Sequence, residues 1–155
     1  MILLVHMLFG AAIGYTAKNI PLGIILAFFG HYFLDFFPHI EYLKSTEDSI
    51  KKIKNETWGK YLPDILKIAL DFCLGIIIIF IFLKNQPIVY LYALVAIIPD
   101  GLTIITLLFP NKFLLWHHYI HTEKIHYFKH KKVSNFWRIL TQILAVVVSI
   151  ILLEF

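Results

Sequence analysis

The chain has 155 residues, 59% of them hydrophobic and only 15% charged, with a formal charge of +4 and a mean hydropathy of +0.77. Soluble domains run at about 45–50% apolar and about 25% charged, so a disordered chain, a coiled coil and an ordinary soluble globule are excluded. What is left is an integral membrane protein, read as one domain over residues 1–155.

A span needs roughly 20 mostly apolar residues, with about 17–25 tolerated. Five segments qualify in chain order: 2–17, 20–37, 64–83, 87–109 and 136–155. The first is short and carries His6; no basic residue precedes it, so it reads as a retained helix rather than a signal peptide. It hairpins to the second through Lys18-Asn19-Ile20-Pro21. Gly10 and Gly14 are four residues apart, as are Gly23 and Ala27, a spacing that lets backbones approach closely in lipid. Cys73 lies inside the third apolar run, and a single cysteine supports no disulfide framework.

Two longer polar stretches separate the spans. Pro38–Pro63 contains Ser45-Thr46-Glu47-Asp48, close to a capping box, and after it Ile50, Ile53, Trp58 and Tyr61 fall towards one side. This predicts a short interfacial helix with aromatic residues at headgroup depth. Pro110–Arg138 predicts another, over Phe113–His130. There His117 and His121 share the apolar side, while His126 and His130 face water. The fold class is therefore all-α: a bundle of about five transmembrane helices, with short interfacial helices in two cytoplasmic loops.

Charge sets the orientation. The two long stretches hold Lys44, Lys51, Lys52, Lys54, Lys60, Lys112, Lys124, Lys129, Lys131, Lys132 and Arg138, against only Lys18 and Lys84 on the opposite side. Cytoplasmic loops carry the basic excess, so the N-terminus is expected in the cytoplasm and the C-terminus outside. Basic residues so placed face anionic headgroups, and no nucleic-acid partner is expected.

The ionisable residues inside the spans carry the functional signal. Asp35, Asp71 and Asp100 fall in apolar segments, together with His6 and His31. Each buried charge costs about 2.5–3.5 kcal/mol at the bilayer centre, so something must compensate. At the helical rise, Asp71 lies about 12 Å beyond Pro63, Asp100 about 13 Å before Phe109 and His31 about 10 Å before Pro38. His6 lies about 8 Å from the first residue on the same rise. All five residues therefore sit in the cytoplasmic half of the bilayer. His31, Asp35 and, beyond Pro38, His39 follow one another at i, i+4, i+8 along one helix stripe.

Imidazoles and carboxylates at one depth are the ligand chemistry of zinc, or of manganese and iron where oxygen dominates. The candidate ligands are His6, His31, Asp35, Asp100 and His121, with zinc the preferred ion. Asp71 and His117 are the candidates for proton transfer or substrate contact. Each has a structural alternative: Asp71 has Lys67 four residues before it, Asp100 follows Pro99 and can satisfy backbone donors at a kink, and the histidine-rich run can bind headgroups.

An N-terminal histidine shortly before Gly10, the segment Gly30-His31-Tyr32-Phe33-Leu34-Asp35, Pro99-Asp100 and the histidines after it together resemble a known group. It is a prokaryotic family of inner-membrane metal-dependent hydrolases that includes a LexA-regulated enterobacterial member. The resemblance implies an inner-membrane location and metal-dependent hydrolysis, and the expected reaction is attack of metal-activated water on an ester or phosphoester of a lipid-like substrate. The family's Pro-Asp-x-Asp is here Pro99-Asp100-Gly101-Leu102, without the second carboxylate. Its His-Arg-Gly-x-x-His is matched loosely by His117-His118-Tyr119-Ile120-His121. Both departures bear on hydrolysis more than on metal binding. Two other classes fit the same residues: a small ion- or proton-coupled transporter, and a non-catalytic adaptor that binds anionic lipid or a protein partner.

Overall fold

The structure, a computed structural model, describes residues 1–40, 62–83 and 86–154. The interfacial helix expected within Pro38–Pro63 falls almost wholly outside them. All the regular elements among the described residues are helical. In order they are α1 (Leu3–Thr16), α2 (Ile20–Asp35), α3 (Leu62–Leu83), α4 (Pro87–Ala96), α5 (Ile98–Leu108), α6 (Lys112–Tyr119) and α7 (Asn135–Glu154). Between α6 and α7 lie a π-helical turn, Ile120–Ile125, and a 3-10 turn, Tyr127–His130.

Helix α1 is the hub, packed against α2, α3, α4 and α7. Its Met7, Leu8, Ala11 and Ala12 form the main core with Ile79 of α3, Val89 and Ala93 of α4 and Leu153 of α7. Small residues permit this crowding. A Cβ on Gly14 would lie 2.4 Å from Tyr92 Cγ, and one on Gly23 would lie 2.6 Å from the Gly14 carbonyl. The α1–α2 hairpin turns at Lys18, whose φ is 53°. Asn19 then caps α2 by accepting the Leu22 N–H at 3.0 Å.

The apolar segment 87–109, read from the sequence as one span, divides into α4 and α5 at Ile97. Pro99 is the cause, because it lacks an N–H and its ring clashes with the preceding turn. The two pieces are bent by 41° and together pass as one broken span. Helix α7 is the single helix among the described residues that is long and apolar enough by itself to cross a membrane; α1 and α2 are shorter apolar helices.

The second loop also departs from the regular helix expected over Phe113–His130. Asn111 caps α6 by accepting the Leu114 N–H at 3.0 Å. The α-helix then gives way to the π turn, in which the His126 N–H donates to the His121 carbonyl at 3.2 Å. In an α-helix five residues rotate by about 500°, leaving the sixth about 140° out of phase. The wider turn brings His126 back to the face of His121, which corrects the expectation that it points to water.

Candidate metal centre

Asp35, at the last turn of α2, is the centre of the site and is fully buried. Its Oδ2 lies 3.0 Å from His31 Nε2, 3.1 Å from His121 Nε2 and 3.1 Å from His126 Nε2. Its Oδ1 lies 2.7 Å from the Met1 amino group and 3.1 Å from His6 Nε2. Asp100, in the first turn of α5, completes the approach: its Oδ1 stands 3.6 Å from His31 Nε2 and 4.0 Å from His121 Nε2.

The donor atoms of His31, Asp35, Asp100 and His121 all lie within 4.8 Å of one another, so these four residues could hold a metal ion. Their elements explain the convergence. One turn of α2 supplies His31 and Asp35. The break before Pro99 places Asp100 at a helix start, and the π turn carries His121.

Hydrogen bonds on the far side of each imidazole fix its tautomer. His31 Nδ1 lies 2.7 Å from the carbonyl of Ala96, at the helix break. A carbonyl has no proton to give, so Nδ1 donates, and in the neutral ring Nε2 presents a lone pair to Asp35. Thr103 donates its one hydroxyl proton to the Pro99 carbonyl at 3.3 Å. Its oxygen therefore accepts from His121 Nδ1 at 3.0 Å, and His121 also turns a lone pair inwards. The two Nε2 atoms are only 3.1 Å apart, leaving room for one proton between them at most. With both rings neutral, two nitrogen lone pairs face two carboxylates, an arrangement that a divalent cation, or protons on the rings, would satisfy. Burial pushes the His121 imidazole below its ordinary pKa of 6.5, which favours the neutral, ligating form.

The remaining candidates occupy three different positions. His6 is buried and stacks on His31 with ring centroids 3.9 Å apart. It lies outside the group of four, and although Nε2 is close to Asp35, neither ring nitrogen makes a hydrogen bond. His117 pairs with the Tyr32 hydroxyl at 2.8 Å, and burial together with the nearby His121 holds its pKa below 6.5. Asp71 belongs to neither group of converging donors. Its Oδ2 accepts the Leu4 N–H at 2.8 Å, so the carboxylate caps the start of α1, a structural contact rather than a place beside the site.

Sequence reasoning missed Tyr32, Thr103 and His126. The first two carry no signal by composition, although Thr103 lies four residues after Pro99. No family model, curated protein or solved structure matches the chain.

Proposed function

We propose that the chain is a multi-pass membrane protein with a divalent metal, zinc first, held by His31, Asp35, Asp100 and His121. Its activity is hydrolysis of a lipid-like ester or phosphoester at the cytoplasmic interface of the inner membrane. The observation that carries the metal is convergence: the donor atoms of the four residues lie within 4.8 Å of one another, and both Nδ1 atoms have outward partners, so that the neutral rings turn Nε2 to two carboxylates. A bound ion there supplies Lewis acidity and activates water near neutral pH. His31 and His121 would supply two oriented nitrogen donors, and Asp35 and Asp100 the negative charge.

An inside-out arrangement supports the membrane reading. Phe29, Phe33 and Phe36 of α2, Leu66, Leu70, Leu74 and Ile81 of α3, and Ile143, Val147 and Ile151 of α7 are exposed, whereas His6, His31, Asp35, Asp71 and His121 are buried. In water this distribution would be costly, and in lipid it is the expected one. Five spans follow if α4 and α5 form one broken span. The basic asymmetry then sets the N-terminus inside.

Three features favour an enzyme at the interface over a carrier at the midplane. The site sits where α2 ends and the basic second loop begins. Trp116, Tyr119, Tyr127 and Trp137 are exposed on the elements around it, as suits headgroup depth. Asp100 is the one ligand of the four that is open, with 36% of its side chain exposed, so a substrate can approach from that side. The family resemblance points the same way.

The test is the purified, detergent-solubilised protein assayed against a panel of lipid phosphoesters, with metal content measured alongside. Metal-dependent turnover lost in Asp35→Ala supports the proposal. Bound metal with no hydrolysis of any member of the panel would overturn the enzyme reading, and reproducible absence of metal would overturn the whole of it.

A further inference from the structure

His39 and His126 converge on the same carboxylate and have no part in the four-residue group. His39 Nε2 lies 3.7 Å from Asp35 Oδ1, and His126 Nε2 lies 3.1 Å from Asp35 Oδ2. All three residues are buried, and their donor atoms lie within 4.8 Å of one another. The rings of His39 and His126 stand 5.0 Å apart, and that of His126 is 4.9 Å from His121.

The tautomer of His39 follows the pattern of His31. Its Nδ1 lies 2.7 Å from the Phe37 carbonyl, which can only accept, so in the neutral ring Nε2 turns a lone pair towards Asp35. Three imidazoles locked in this way, and His126 beside them, crowd a single carboxylate. A carboxylate offers about four acceptor positions, and neutral rings with Nε2 unprotonated leave those on Oδ2 facing lone pairs. The Met1 ammonium already meets Oδ1 at 2.7 Å, and it is the imidazole nitrogens that metal ions would supply with a partner.

Both histidine-bearing segments are also held from outside. Arg138 of α7 donates to the His39 carbonyl at 2.9 Å and to the Phe128 carbonyl at 3.3 Å, tying the chain after α2 to the chain after His126. Gln142 donates to the Ile40 carbonyl at 3.1 Å, and Thr141 to that of Pro38. Such backing orients ligands before an ion arrives.

We propose that the centre is dinuclear: a second divalent ion, of the same nitrogen- and oxygen-preferring class as zinc, is held by His39 and His126, and Asp35 bridges it to the first. The proposal rests on the first site being a metal site. A carboxylate bridge suits the separation of about 3.5–4 Å found in two-metal hydrolytic centres, where both ions act on the attacking and leaving oxygens. The π turn then has a chemical purpose, since it directs His121 to one ion and His126, five residues on, to the other.

The experiment is metal counting on the detergent-solubilised protein after saturation with zinc and removal of loosely bound ions. The wild type should hold two ions per chain, and His39→Ala and His126→Ala one each. One ion in the wild type, unchanged in both variants, overturns the second site and leaves the first intact; no ion in any of them overturns both. Because a variant can lose metal by misfolding, manganese-loaded wild type supplies an independent reading by electron paramagnetic resonance. Two ions bridged by Asp35 should give an exchange-coupled spectrum, and isolated-ion signals alone at full loading would overturn the proposal.

Discussion

Thr103→Val tests the reasoning about tautomers without touching a ligand. The substitution keeps the shape of a buried side chain but removes the oxygen that accepts from His121 Nδ1 at 3.0 Å. With that acceptor gone, the ligating tautomer leaves a buried N–H unsatisfied, at a cost of about 1–3 kcal/mol. The alternative tautomer, protonated on Nε2, would instead donate to Asp35 Oδ2 and block the site. That cost corresponds to roughly 5–150-fold in affinity, which overlaps the loss of about 10–100-fold expected when a partner behind a metal ligand is removed. The assay is competition for zinc against a chromophoric chelator, with Thr103→Ser retaining near wild-type affinity. Thr106→Val is the control, because among the described residues Thr106 donates to the Leu102 and Leu114 carbonyls, and it should leave affinity unchanged. Wild-type affinity in folded Thr103→Val would refute the argument from tautomers.

Four further outcomes are expected. Asp71→Ala should keep its metal yet lose about 0.5–2 kcal/mol of stability, because it removes the cap on α1; thermal unfolding in detergent with metal analysis separates the two effects. Gly14→Ala should cost about 1–3 kcal/mol by overpacking against the Tyr92 ring, read as a lowered midpoint in the same melt. His117 and His121 both titrate below 6.5 because burial disfavours their charged forms. The folded chain therefore binds fewer protons than the unfolded one, and stability present above about pH 6.5 should fall as the pH drops below it; melts across pH 5–8 check the sign. Finally, a reporter fused at the C-terminus should read as outside and one inserted between residues 38 and 63 as cytoplasmic, and reporters on one side only would contradict an odd number of spans.

The parts of this centre that lie on one continuous helix are legible in the sequence, and those that depend on a change of helical register are not. His31 and Asp35 share a helix stripe by spacing alone, and helical rise by itself puts Asp100 at a similar depth. The helical class follows from apolar runs too long to be strands. The break at Ile97 is half visible, since Pro99 marks it but its consequence, a carbonyl of Ala96 turned to His31, needs the packed pair of helices. Nothing in Ile120–Ile125 distinguishes i+5 from i+4 hydrogen bonding by residue type, so regular phase sends His126 to the wrong face. Asp71 shows another limit of spacing: the Leu4 N–H that it accepts is 67 positions away and leaves no mark in the sequence around it.

The stoichiometry of tightly bound metal in the purified protein, compared between wild type and Asp35→Ala, tests the central claim most directly. Asp35 touches every proposed ligand histidine of the centre, so its removal should strip all bound metal, while His31→Ala should lose at least the ion shared with His121 and Asp100. Helical content measured on the same samples shows that the bundle persists. A wild type that holds metal, with full retention in both folded variants, would contradict the assignment of this site.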